Sequence, residues 1–483
     1  MMRTSTTLAL LSAIGFTAAK DNGVGVLPAL GWNTWNTFSS SIDAALIIES
    51  AQAMVDSGLS KLGYEYINID DTWQETSRMA NGTLSYNTTK FPDGFNTVTD
   101  QIHALGLKAG LYSTAGSLTC GGFPASLGYE TEDATSYANW GFDYLKYDNC
   151  YNEGQFGNAN ISYARYEVMS DALNATGRPM LYSLCSWGQD NVWDWASTIA
   201  NSYRISGDVY PRFDRKDDRC PCETYDCTGV QGYHCSITNI VEKSAPIGQK
   251  VRAGSFGDMD GLEVGNDGMS FTEQVSQMSM WAINRSPLIL GNDIRNMTND
   301  TMAIISNKAI LSINQDSGTT PAYRVWKKDV AAKTDSTLPS WQVQPTTNGT
   351  LQLWSGGLTD GGGRYVITLF NTSPQNITLD VSLLEAFNSF DFPDVATKSY
   401  SVFDVWAPNP SNPTPLNATR AEIASTAYGV ALPGTFCGSI PSVAVEAHGV
   451  RVFILSTNGT CASEEPMMAS RMMGRRAWAS ELY

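Results

Sequence analysis

The chain has 483 residues, 31 Lys and Arg against 48 Asp and Glu, a net charge of −17, and 42% apolar side chains. That length exceeds one ordinary domain and is enough for two sizeable cores. With an acidic balance and no basic patch to offset it, binding to nucleic acid through phosphate contacts is excluded.

The first element is a leader. Met1-Met2-Arg3 is a basic start, residues 8–16 are apolar, and Thr17-Ala18-Ala19 is a small-residue cleavage site. This is the pattern of a signal peptide over 1–19, with an apolar run too short to span a bilayer. No later stretch is long and apolar enough for a membrane helix, so a secreted, extracellular protein with no membrane partner is expected.

From residue 20 to 316 short β-like runs alternate with helical ones. Strands are predicted at 29–32, 66–70, 109–113, 144–147, 180–185, 202–206, 251–255 and 287–291. Helices are predicted at 42–57, 97–105, 130–140, 164–174, 237–244 and 272–284. Eight such β/α units predict a (β/α)₈ barrel, whose catalytic rim is formed by the C-terminal ends of the strands. That rim collects Trp32, Asp70, Asp71, Tyr112, Lys146, Asp148, Cys185, Arg204, Asp208, Asp258 and Asp260.

The fourth and sixth strand ends carry the chemistry. In Tyr144-Leu145-Lys146-Tyr147-Asp148, period-two alternation places Lys146 beside Asp148. A carboxylate next to a fixed cation stays ionised, as a nucleophile must. Arg204-Ile205-Ser206-Gly207-Asp208 repeats the design, and two such carboxylates point to glycoside hydrolysis. Asp70 and Asp71 close the second strand and can accept bonds from sugar hydroxyls, while Trp32 offers an apolar face to a sugar ring. The acidic turn Asp258-Met259-Asp260 lacks the twelve-residue spacing of a calcium loop. No metal and no cofactor are expected.

Beyond residue 316 the pattern changes to separated strands at 351–354, 364–369, 377–381, 400–405 and 443–455, with one short helix at 382–387. An antiparallel β-sandwich over 317–461 is expected, followed by a loose tail at 462–483.

Cysteines and sequons agree with secretion. Cys120 and Cys150 follow two strand ends and could bridge neighbouring loops, and Cys437 and Cys461 flank the last strands. Cys220, Cys222, Cys227 and Cys235 crowd one polar loop. Two disulfides are expected there rather than zinc, with Cys220–Cys235 and Cys222–Cys227 as the working pairing. Cys185 is left over. Glycosylation is expected at Asn81, Asn87, Asn160, Asn174, Asn296, Asn299, Asn348, Asn371, Asn376, Asn417 and Asn458. Asn284 also fits the tripeptide, but it sits in an apolar run and is expected to be buried.

Taken in order, Leu30-Gly31-Trp32-Asn33-Thr34-Trp35, Asn68-Ile69-Asp70-Asp71, Gly110-Leu111-Tyr112, residues 144–150, Cys185-Ser186-Trp187-Gly188, residues 204–208 and Leu262-Glu263-Val264-Gly265-Asn266 resemble the α-galactosidases of glycoside hydrolase family 27, the melibiase type, in fungal style. The resemblance implies a barrel followed by a β-sandwich and a retaining mechanism. In that mechanism Asp148 is the nucleophile, Asp208 the acid/base, and the two carboxyls stand ~5–5.5 Å apart. It further implies that Asp70 and Asp71 hold the galactose 6- and 4-hydroxyls. Lys146 serves the 3- and 4-hydroxyl side, Arg204 the 2-hydroxyl side, and Tyr112 forms a pocket wall. A Cys120–Cys150 disulfide lies at the site's edge.

Trp187 after Cys185-Ser186 argues against an α-N-acetylgalactosaminidase, and Asp70 against a β-L-arabinopyranosidase. Phe256-Gly257-Asp258 and Gly261 depart from the family's usual Trp-Asn-Asp and methionine, so the alternatives are one of those two sister activities or a catalytically impaired galactose-binding protein. The expected substrates are α-galactoside oligosaccharides or galactomannan side chains; oligomeric state is not readable.

Overall fold

Eight short parallel strands build the N-terminal half: β1 Leu30–Asn33, β2 Tyr66–Asn68, β3 Lys108–Thr114, β4 Tyr144–Asp148, β5 Leu181–Cys185, β6 Ser202–Arg204, β7 Phe256–Asp258 and β8 Leu288–Leu290. The computed structural model describes residues 20–214, 235–317, 320–331, 347–358, 363–387, 397–409 and 418–461. The leader at 1–19, Cys220, Cys222, Cys227, Asn417, the side chain of Asn348 and the tail at 462–483 lie outside the described residues.

The strands are hydrogen-bonded in the order β7-β6-β5-β4-β3-β2-β1-β8. Closure comes just after β7, where Leu262 N donates to Ile289 O at 2.7 Å and Gly291 N to Leu262 O at 3.0 Å. Both faces of these strands are covered, so they read as apolar runs rather than alternating ones. The surrounding helices begin where the sequence supplies caps. The Asp43 carboxylate accepts from Leu46 N, and capping boxes open the helices Ile237–Ser244 and Phe271–Ile283.

One strand prediction needs correction. Residues 251–255 form no strand; Arg252 and Ser255 close a tight bridge, and β7 starts at Phe256.

The C-terminal half comprises β9 Tyr323–Ala331, β10 Thr347–Leu358, β11 Arg364–Asn371, β12 Ile377–Ser382, β13 Lys398–Pro408, β14 Tyr428–Ala431, β15 Ser439–Val445 and β16 Val450–Thr460. Six strands form one antiparallel sheet, β14-β13-β16-β11-β10-β9, and β12 pairs with β15 in a second. Leu353, Ile367, Leu369, Val402, Val443, Phe453 and Leu455 fill the space between them, which makes a β-sandwich. The predicted run 443–455 is two strands in different sheets, separated at Glu446–Gly449. β9, β14 and the short helix Arg420–Ala424 fall outside the strands and helix expected from the sequence.

The two halves share a core. Trp354, Phe370, Trp406 and Val452 of the sandwich join the apolar cluster of the barrel helices. Trp406 Nε1 donates to Ser279 Oγ at 2.8 Å, and Glu242 accepts from Arg324, Lys327 and Gln352 at 2.6–3.0 Å. Disulfides join Cys120 to Cys150 and Cys437 to Cys461; Cys235 is also disulfide-bonded, and Cys185 is free and buried. No helix among the described residues is long and apolar enough to cross a membrane.

Candidate active site

A cleft of about 720 Å³ opens at the C-terminal ends of the barrel strands, lined by Asp70, Asp71, Tyr112, Lys146, Asp148, Trp187, Arg204, Asp208 and Asp260, among others. A smaller chamber of about 40 Å³ lies against it, where Cys185 and Asp258 meet Lys146, Arg204 and Asp260. Every rim residue expected from the sequence therefore reaches the cleft or this chamber, except Trp32.

Trp32 is a correction. It is 0% exposed, donates its indole N–H to Asn292 O at 2.7 Å, and packs edge-on to Phe38 at 6.0 Å. The tryptophan of this segment that lines the cleft is Trp35, three residues on.

Asp148 ends β4 and is 6% exposed, with Oδ1 accepting from Asn149 N at 2.8 Å. Burial pushes its carboxyl up to about 7; Lys146 and Arg204 pull it back, and Asp208 pushes it further up. Lys146 is held cationic, well above the usual lysine range: burial would lower it, and Asp70, Cys185, Asp148 and Asp260 together more than offset that. Its Nζ donates to Asp70 Oδ2 at 2.7 Å, and Asn33 Nδ2 donates to the same oxygen at 2.7 Å. The Cys120–Cys150 sulfurs lie within 4.8 Å of the Asp148 carboxylate. Because those sulfurs are bonded to each other, that group offers no metal site.

Asp208 stands on the loop after β6, its side chain 46% exposed, and Arg204 Nη2 donates to its Oδ1 at 2.9 Å. Arg204 also pairs with Asp260 Oδ2 at 3.0 Å and donates to Cys185 Sγ at 3.4 Å. The same Asp260 oxygen accepts from Val209 N at 2.7 Å, which ties the loop of Asp208 to the end of β7. Asp71 accepts from Gly121 N at 2.6 Å and Thr72 N at 2.6 Å; burial nonetheless raises its carboxyl. Asp258, inside the chamber, is pushed up to about 6, again by burial.

Thr72, Trp187 and Asp260 have φ of 75°, 57° and 77°, left-handed backbone at non-glycine residues just past β2, β5 and β7. Each such residue costs ~1–3 kcal/mol, and such strain concentrates where side chains are aimed at ligands. Close approach matters at Gly116, where a Cβ would sit 1.9 Å from Cys150 O; only glycine lets the Cys120 and Cys150 loops meet.

Sequence reasoning missed Trp35, Asn33, Asn36, Tyr210, Glu263 and Asn266. Glu263 is buried, is pushed up to about 7 by burial, and accepts from Asn36 at 2.5 Å and Asn266 at 2.6 Å. The one sequence signal was their membership in the two motifs at 30–35 and 262–266. Among the sequons, Asn81, Asn160, Asn174, Asn296, Asn299, Asn376 and Asn458 are exposed and Asn87 is partly so. Asn371 is a correction: it is fully buried, and its amide donates to Gln375 O and Glu446 O at 2.7 and 2.8 Å, so no glycan fits there. Asn284 is buried, as read from the sequence.

The family described as "Alpha galactosidase A" (melibiase) matches residues 27–316, and the "Alpha galactosidase C-terminal beta sandwich domain" matches 348–455. The chain is 46% identical over 396 residues to an alpha-galactosidase of Lachancea cidri, covering 81% of each chain. An alpha-galactosidase of Schizosaccharomyces pombe is 45% identical, over 80% of this chain and 85% of that one. Among solved structures, alpha-galactosidase I from Mortierella vinacea superposes with a TM-score of 0.79 at 43% identity, over 92% and 100% of the chains. The alpha-galactosidase of Saccharomyces cerevisiae with raffinose gives 0.80 at 38%, over 90% and 99%. A likeness of this depth, running through both the barrel and the sandwich, means that the chain belongs to the melibiase family and is a glycoside hydrolase of the α-galactosidase type.

Proposed function

We propose that the protein is a secreted retaining α-galactosidase that removes terminal α-D-galactose from oligosaccharides or galactomannan side chains. The observation that carries this reading is the asymmetry of two carboxylates lining one cleft. Asp148 is buried beside Lys146, whereas Asp208 is half exposed and held by Arg204. A buried group fixed from below suits attack on carbon, and an exposed one suits proton exchange with a leaving group and then with water.

In the first step an Asp148 oxygen bonds to the anomeric carbon as the glycosidic C–O bond breaks, and Asp208 gives its proton to the departing oxygen. In the second, Asp208 takes a proton from water, whose oxygen displaces Asp148 and releases α-galactose. Asp70, Asp71, Lys146 and Arg204 supply hydrogen-bonding partners for the ring hydroxyls, and Trp35 and Trp187 supply apolar walls. Galactose is favoured over its relatives by Asp70, pinned by Asn33 and Lys146, and by the bulk of Trp187. Secretion is supported by the predicted leader and the disulfides.

Hydrolysis of the p-nitrophenyl α-galactoside, α-N-acetylgalactosaminide and β-L-arabinopyranoside tests the reading. Turnover of the first, abolished by Asp148→Ala, is expected. Galactose binding with no turnover of any of the three would instead support the impaired, sugar-binding alternative.

A further inference from the structure

We propose that the β-sandwich domain positions the catalytic acid/base loop, and that His448 is the positioning residue through which it does so; this rests on the reading of Asp208 as the acid/base. Residues 208–213 run from Asp208 along the wall of the cleft through Val209, Tyr210 and Pro211, then turn away and end in the buried ring of Phe213. That ring is clamped by the other domain. The His448 imidazole stacks on it at 4.7 Å with 20° between the planes, and Phe370 meets it edge-on at 5.8 Å.

His448 is itself tightly held. It occupies the β15–β16 turn at φ 55°, its N donates to Ser373 O at 3.0 Å, and its O accepts from Ser276 Oγ at 2.8 Å. Nδ1 meets Glu273 Oε1 at 2.8 Å, and the other oxygen of Glu273 caps the helix Phe271–Ile283 by accepting from Ser270 N at 2.8 Å. The stack is therefore anchored on both domains, while the loop it steadies has little regular structure of its own. Backbone bonds from Ile237 and Thr238 to Arg212 O and Phe213 O hold the loop's far end, next to Phe213. The near end of the segment is tied to the barrel as well, by Val209 N to Asp260 Oδ2 at 2.7 Å, Cys235 N to Asp208 O at 2.6 Å and Tyr210 N to Cys235 O at 2.9 Å. Losing the stack leaves those bonds in place but removes the packing that seats Phe213. The backbone leading back to Asp208 then shifts, and the carboxyl that must meet the leaving oxygen moves with it. A displacement of about 1 Å is enough to matter for proton transfer.

The experiment compares, in the full chain, kcat/KM for melibiose, whose sugar leaving group needs a proton, with that for 2,4-dinitrophenyl α-galactoside, whose leaving group does not. His448→Asn tolerates the left-handed backbone but removes the ring; His448→Phe keeps a ring and loses the Glu273 bond; Phe213→Leu breaks the stack from the barrel side. We expect His448→Asn and Phe213→Leu to lower kcat/KM for melibiose about tenfold and to leave the dinitrophenyl value within about twofold, with azide raising kcat on the latter. His448→Phe should restore most of the melibiose rate. Equal losses on both substrates, or no rescue by His448→Phe, would overturn the proposal. Asp208→Ala run alongside separates the two readings. If it too shows no leaving-group dependence and no azide rescue, the acid/base assignment fails; if it shows both and the His448 variants do not, only the positioning role fails.

Discussion

Two tryptophans three residues apart have opposite jobs, and the distinction is made by strand geometry. Trp32 lies within β1 and turns into the core; Trp35 lies past the strand end and lines the cleft. Trp32→Ala should cost ~3–5 kcal/mol of stability, read by denaturant unfolding. Trp35→Ala should leave the unfolding midpoint near wild type and raise KM. At Asp148, the proposed nucleophile, the cation of Lys146 opposes the rise that burial imposes on the carboxyl. If Asp148 is the nucleophile, Lys146→Met moves the acidic limb of the kcat/KM profile to higher pH, because the carboxyl must lose its proton to attack. A limb that moves to lower pH would contradict that sign. The residue scale is also where the sequence was most legible for charged groups and least for aromatic ones: Lys146 and Asp148 share a strand face by simple alternation, but no periodicity tells which tryptophan leaves the strand first.

Among the elements, the barrel strands were readable because each is a short apolar run ending in a polar residue. Strand seven was misplaced by five residues because Gly257 sits in the middle of the true strand, where a residue without a side chain gives no β signal. β9 was missed for another reason: it is an edge strand with Lys327, Lys328 and Asp329 exposed, a polarity that protects an open edge but resembles a loop. The 443–455 run reads as one strand because the turn at Glu446–Gly449 interrupts it with only four residues. The domain interface lay beyond any sequence pattern. There Trp406, buried against the helix Phe271–Ile283, donates to Ser279. Trp406→Ala should destabilise by ~3–5 kcal/mol and keep a single thermal transition, since barrel and sandwich share that core. Two separated transitions in calorimetry would show that the halves unfold independently.

Over the whole molecule, the cleft concentrates carboxyl groups that burial holds high: Asp148 at about 7, Asp258 at about 6 and Glu263 at about 7. Each binds its proton more tightly in the folded than in the unfolded chain. Their contribution to stability is full below ~pH 4 and is lost as pH rises through about 6 to 7. The free protein should therefore melt at a higher temperature at pH 5 than at pH 8. Asp148→Asn should raise the melting temperature at pH 8, with the gain shrinking at pH 5, while removing activity. A wild-type melting temperature that climbs from pH 5 to pH 8 would refute this balance. The organisation around the cleft, a barrel rim fed by strand ends, was legible from sequence order alone; the buttressing of that rim by the second domain was not, since Phe213 and His448 are 235 positions apart.

Proton NMR of the first sugar released from p-nitrophenyl α-galactoside decides whether Asp148 and Asp208 divide the labour as proposed. Initial α-galactose, mutarotating later to the β form, is predicted, because two displacements at one carbon restore its configuration. Initial β-galactose would mean a single displacement by water, and Asp148 could not be the nucleophile.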